Sequence, residues 1–209
     1  MILFIQILLV TTSFAVEADF GSDSIEYFEG KITYDHSYEP DSLAGYLGSE
    51  SIFYYKAGNY KQVFNGEKVK ESTYNRKDNS IYSFIGEDTV ITSCDQKSEI
   101  IKDYDIFEDA AEILGEKCDL LVLRTNSRLA YYYFSNKYSI NPAALGNHKY
   151  SSLSFVYSKT KSLPLKIINQ YSNFKVTMTA VKIEKKQISE DFFNFNGKSH
   201  KSELILKNK

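Results

Sequence analysis

The 209-residue sequence predicts a mainly β protein built as an antiparallel meander, and three observations carry that reading. It holds 17 Tyr and 14 Phe but only 3 Pro, a composition that favours strands over helices. Short apolar runs alternate with polar residues at period two, the spacing of half-buried strands. Turn chemistry separates these runs at close intervals, so sequence neighbours are expected to pair as hairpins.

Residues 1–15 read as an export signal: an apolar run over 2–10, a more polar exit, and the small residues Ser13 and Ala15 where a signal peptidase needs them. The run is too short to cross a bilayer, and it opens without Lys or Arg. The expected location is therefore periplasmic or secreted, with no transmembrane segment in the mature chain. Residues 16–24 are expected to form a flexible lead, 25–196 a single β-rich domain, and 197–209 a polar, Lys-rich tail interrupted by an apolar stretch at 204–206.

The first strand is marked by Phe28, Ile32, Tyr34 and Tyr38 alternating with polar neighbours. Residues 40–48 then change character. Asp41 or Ser42 can cap a short helix that presents Leu43, Tyr46 and Leu47, and Gly45 and Gly48 limit its length. This is an insert or lid, not a tight turn. Strands follow at 52–56, 60–64, 69–74, 81–85 and 89–94. Asn65-Gly66 is the strongest hairpin signal, since a type I′ turn needs positive φ at both central residues.

Residues 96–104 are polar and fit a loop or helical turn, and the alanines within 105–114 permit a helix. Strands resume at 118–125 and 129–135 around an Asn126-Ser127 turn. Leu121 and Leu123 oppose Cys118, Leu120 and Val122, so this strand should be central and covered on both faces. Asn141, Pro142 and Gly146 supply the N-cap, first position and stop of a second short helical insert. The last strands fall at 163–171 and 175–184. In the final one the apolar parity switches after Ala180, which calls for a bulge there.

Hydrophobic residues make up 43% of the chain, which excludes wholesale disorder, and the net charge of −2 with both signs interspersed argues against a nucleic-acid partner. Cys94 and Cys118 form an even pair. In an oxidising compartment they are expected to be a disulfide, closing a loop of about 25 residues and contributing roughly 3.5 kcal/mol on a chain-entropy model.

No catalytic pattern emerges. His36, His148 and His200 lie in a strand, a loop and the tail, with no HxH or HExxH pairing. Ser158/Lys161 and Ser172/Lys175 have S-x-x-K spacing without the companion elements of that chemistry. Asp103, Asp105, Glu108, Asp109 and Glu112 concentrate negative charge but lack the spacing and glycine of a calcium loop, and read as a solvated edge. The sequence predicts no enzyme, no cofactor and no metal site. Tyr131, Tyr132, Tyr133 and Phe134, like Phe53, Tyr54 and Tyr55, must project on both faces of a strand. That fits either a packed core with a tyrosine-rich exterior or a concave apolar face holding a lipid-like ligand.

The stretches Ile113-Leu114-Gly115-Glu116-Lys117-Cys118, Tyr132-Tyr133-Phe134-Ser135, Ile140-Asn141-Pro142 and Ser162-Leu163-Pro164-Leu165-Lys166 resemble a family of uncharacterised exported proteins of Gram-negative bacteria, itself similar to the LolA/LolB-like lipoprotein carriers. The resemblance runs from about residue 27 to 195. It implies an antiparallel sheet curled into a half-barrel, with short helices covering the open side. The two inserts would be those helices. It supplies no functional residue position by position. The expected lining, chosen by strand parity or place on an insert, is Phe28, Ile32, Tyr34, Leu43, Tyr46, Leu47, Tyr132, Phe134, Leu145 and Met178. The expected function is binding of a hydrophobic ligand, a lipid or acyl chain, in the half-barrel. The alternative is an interaction module that engages an envelope protein through a tyrosine-rich surface and takes no small ligand.

Overall fold

Chains of hairpins fix strand order, and the computed structural model, which describes residues 26–195, shows two such chains meeting. The first is β1 (Gly30–Glu39), α1 (Leu43–Leu47), β2 (Glu50–Lys56), β3 (Asn59–Phe64), β4 (Val69–Asn75), β5 (Ser80–Ile85) and β6 (Asp88–Ser93). The second is β7 (Ile101–Ile113), β8 (Glu116–Thr125), β9 (Leu129–Ser139), α2 (Leu153–Thr160), β10 (Ser162–Gln170) and β11 (Lys175–Lys185). β1 pairs antiparallel with β11, giving one eleven-stranded sheet in the order β6-β5-β4-β3-β2-β1-β11-β10-β9-β8-β7. The expected mainly β meander is the observed architecture, and the sheet is not closed.

The chain's own connectivity requires that sheet to curl. Flat, eleven strands would be about 48 Å wide. Yet the two edges, β6 and β7, are joined by residues 94–100 alone, a link that reaches at most about 28 Å. The switch of parity in β11 supplies part of the bend. Thr33 pairs with Lys182 and Tyr34 with Ala180, so Val181 is the extra residue of the predicted bulge.

The concave face carries the main core: Ile32, Tyr34, Tyr55, Tyr74, Leu163 and Leu165 are almost wholly buried there. On the convex face Ile52, Tyr54 and Val63 are covered by Ile188 and Phe193 from the segment after β11. Beneath that cover lies a buried ion pair, Lys61–Glu71 at 3.2 Å, with Phe192 against the ammonium.

Four expectations are corrected. Residues 101–113 form a strand, not a helix, because β8 offers a free edge that pairs with them from Ile101 to Ile113. β8 is accordingly next to the edge and not central, although Leu121, Val122 and Leu123 are buried. Asn65-Gly66 is not a two-residue hairpin turn. Gly66 lies against the backbone of Leu47 and Gly48, where any Cβ would clash, and the Asn65 side chain accepts a hydrogen bond from Glu50 N. Cys94 and Cys118 are free buried thiols and not a disulfide. Cys94 Sγ faces His148 Nε2 at 3.6 Å and Cys118 Sγ faces the Glu116 carbonyl at 3.4 Å, each turned to its own neighbours. The proposed signal, lead and tail lie outside the described residues.

Candidate functional site

The segment between β9 and β10 builds the site. Asn141 accepts from Ala143 N at 3.1 Å with Pro142 in first position, which starts a 3-10 turn over Pro142–Leu145 as the sequence predicts. A second turn, Tyr150–Ser152, leads into α2, which the sequence reading does not contain. Leu145, Val156 and Tyr157 point into the concavity and are buried, packing with the sheet residues that face them. The insert is therefore a plug whose apolar side fills the half-barrel.

Free space lies on the other flank of this plug. A cleft of about 700 Å³ separates the insert from the 94–100 connection. Its apolar walls are Ile100, Ile101, Pro142, Ala143 and Phe155, and its polar lining includes Lys97, Glu99, Lys149, Ser152 and Ser154. Ile100 is 68% exposed and leaves apolar surface beside the cleft for a ligand to cover.

One polar network ties the two walls. Arg128 Nη2 and Nε donate to Glu99 at 2.9 and 3.1 Å, while further guanidinium bonds reach Asn169 at 2.6 Å, Tyr132 OH at 3.2 Å and the Ser151 carbonyl at 2.9 Å. Thr125 and Ser127 hydroxyls donate to Glu99, each at 3.1 Å. Both ionic side chains are nearly inaccessible, at 6% and 4%. Burial pushes the Glu99 carboxyl up, but the hydrogen bonds and charge of Arg128 outweigh it and hold the group below the usual carboxylate range. Ser151 and Ser152 adopt left-handed backbone at φ 51° and 55°. Ser151 is pinned from both sides, its N–H donating to Ser98 Oγ at 2.8 Å and its carbonyl accepting from Arg128.

A second cluster sits on the concave face near α1. Tyr38 OH donates to the Gly48 carbonyl at 2.6 Å, so it accepts from His36 Nδ1 at 2.9 Å. That leaves His36 Nε2 to accept from Ser51 Oγ at 2.7 Å, and Gln62 donates to the same oxygen at 2.9 Å. The order hydroxyl, imidazole, orienting oxygen is that of a nucleophilic relay, but Ser51 has no exposed surface. The cluster fastens strands; it offers no oxygen to a substrate.

The ten expected lining residues fall into three groups. Phe28, Ile32, Tyr34 and Leu145 meet in the main core with Met178 packed against them. Tyr132 and Phe134 join Val156 in the neighbouring cluster. Leu43, Tyr46 and Leu47 are not brought to either. They sit on α1, which bonds through its backbone to the β3–β4 connection and buries none of its residues. None of the ten lines the 700 Å³ cleft. Of the other residues singled out, Ser158 donates to the Phe155 carbonyl at 2.7 Å and Lys161 is the left-handed cap of α2, so S-x-x-K is incidental there. Asp103 and Asp105 both bind Arg124. Among the described residues no three His, Cys, Asp or Glu side chains are grouped to hold a metal.

Sequence reasoning missed Arg128 and Glu99. A usable signal existed: Lys supplies nearly all the positive charge, and Arg128 is one of only three arginines, the residue type suited to a buried two-pronged carboxylate contact.

No protein-family model and no curated protein matches the chain. Among solved structures it is similar to PNGF-II, with a TM-score of 0.47 and 16% identity over 82% of this chain, although it spans only 30% of that one. It is also similar to the lipoprotein LppX of Mycobacterium tuberculosis, at TM-score 0.38 and 8% identity over 78% of this chain and 89% of that one. A LolA superfamily protein from Nitrosomonas europaea is a further neighbour, at TM-score 0.35 and 8% identity over 81% and 91% of the two chains.

Proposed function

We propose that this is an exported binding protein without catalytic activity, which holds a hydrophobic ligand, a lipid or acyl chain, in the cleft between the helical insert and the 94–100 connection. The observation that carries this reading is the cleft itself. Its 700 Å³ falls within the range of roughly 300–1,000 Å³ usual for small-molecule sites, and its walls combine exposed apolar side chains with a few fixed polar groups. A ligand seated deeper, against Ile32 and Tyr34, would require the insert to lift. The export signal read from residues 1–15 is the support for a periplasmic or secreted location.

The test is native mass spectrometry of the protein purified after export, beside an organic extract of the same sample. A lipid adduct removed by extraction, and reduced when Ala143→Trp fills the cleft from its exposed rim, is the expected result. Clean protein that also takes up no fatty acid would overturn the reading, and a stoichiometric protein partner recovered with it would favour the interaction module.

A further inference from the structure

The charges around the cleft define its ligand more closely than its apolar walls do. Resting on the binding function proposed above, we infer that the ligand is a single-chain amphiphile with an anionic head, the head held by Lys97 and Lys149 and the chain laid along Ile100, Ile101, Pro142 and Phe155.

Glu99 is the carboxylate inside the cleft, and it has no negative charge to spare. Arg128 binds both of its oxygens and two hydroxyls complete its shell. Opposite charge is therefore cancelled on the spot, within a network that is fully formed without a ligand. Lys97 and Lys149 differ. Both line the cleft and both are exposed, and among the described residues neither forms an ion pair. Lys149 lies within the field of Asp95, whose carboxylate is already engaged by Asn79 at 2.7 Å and Ser93 at 3.1 Å. Two exposed lysines thus line the cavity, with the partly committed Asp95 carboxylate near one of them.

The two lysines come from the two walls of the cleft, Lys97 on the connection between the sheet edges and Lys149 on the insert. Lys149 is held in place through its own N–H, which donates to the Cys94 carbonyl at 2.8 Å. The apolar residues continue the same walls. Lysines contributed by both walls of one cleft, together with an apolar lining, match a carboxylate or phosphate on an alkyl chain. They do not match a neutral lipid.

Titration calorimetry with dodecanoate and with dodecanol, on wild type and on a Lys97→Gln/Lys149→Gln variant, tests this at low and at 0.5 M salt. Wild type should bind the acid about tenfold more tightly than the alcohol at low salt, and salt should narrow the gap. The double variant should lose that preference, binding acid and alcohol with similar affinity. Equal binding of acid and alcohol by wild type would overturn the anionic head while leaving hydrophobic binding intact. A preference that survives in the double variant would overturn the assignment to these two lysines, and no binding of either probe would overturn both the head and the binding function it rests on.

Discussion

At the scale of single residues, the buried ion pair of Arg128 and Glu99, the buried His148 and the half-buried His36 set how the fold responds to mutation and to acid. Removing one partner of a buried, hydrogen-bonded pair leaves the other charge unsolvated, a loss of about 3–5 kcal/mol. Arg128→Ala should therefore lower the free energy of unfolding in urea by that amount. Arg128→Leu with Glu99→Leu should recover part of it, because the residual carboxylate is gone. A loss under about 1 kcal/mol for the single change would mean the pair is solvated. Burial lowers both His36 and His148 to about 4, against about 6.5 when unfolded. Between those values the unfolded chain binds more protons than the folded one, so stability must fall as pH drops from about 6.5 toward 4. A shift of this size corresponds to at most about 3.4 kcal/mol per histidine. Urea midpoints at pH 7 and pH 4.5 should differ clearly in wild type and less in His36→Gln. Glu99 acts in the same direction but lower down the pH scale: its carboxyl is depressed in the folded chain, so its contribution is kept above about 4.5 and is lost only as pH falls further.

At the scale of elements, the contact between two turns determines how firmly the plug is seated. Gly58, at φ 90°, lies where a Cβ would come within 2.7 Å of the Ala144 carbonyl and 2.8 Å of its Cβ, so the β2–β3 turn and the Pro142–Leu145 turn touch through a glycine. Gly58→Ala adds backbone strain and a clash together and should destabilise by about 1–3 kcal/mol. Its more specific sign is faster amide exchange in the 141–160 insert than in β1 or β11. Uniform change across the sheet would argue that the insert is held elsewhere. Such contacts explain what the sequence could and could not disclose. Strand order in β1 to β6, the Asn141 cap and the bulge at Val181 were legible because they rest on local alternation and turn chemistry. β7 was not, because most of its side chains are exposed and an edge strand needs no apolar period. α2 escaped notice because it is only eight residues long and buries two apolar residues, Val156 and Tyr157, beside the polar Thr160, too few to show an apolar helical stripe. The cleft could not be read at all, since its walls are 40 residues apart in sequence and meet only through the curl of the sheet.

At the scale of the whole molecule, the curl also governs the chemistry of the two cysteines. An even pair in an exported chain reads as a bridge, but bridging requires the Cα atoms to approach within about 7 Å with their side chains converging. Cys94 follows β6 at one free edge and Cys118 lies in β8, one strand in from the other edge. Both reach the same core cluster, which curling makes unavoidable, yet each sulfur is directed to its own partners. With closure between the edges left to the plug and the 94–100 connection, nothing in the fold demands a covalent link. Burial pushes the Cys94 thiol up to about 12 and raises Cys118 as well, so neither presents a thiolate near neutral pH. The native protein should show no reaction with a thiol reagent over an hour, and two reactive thiols per chain once unfolded in urea without reductant. Electrophoretic mobility should be unchanged by reduction. If unfolding releases no thiol until a reductant is added, the sulfurs are paired in the native protein, and Cys94 and Cys118 must then turn from the neighbours they face here.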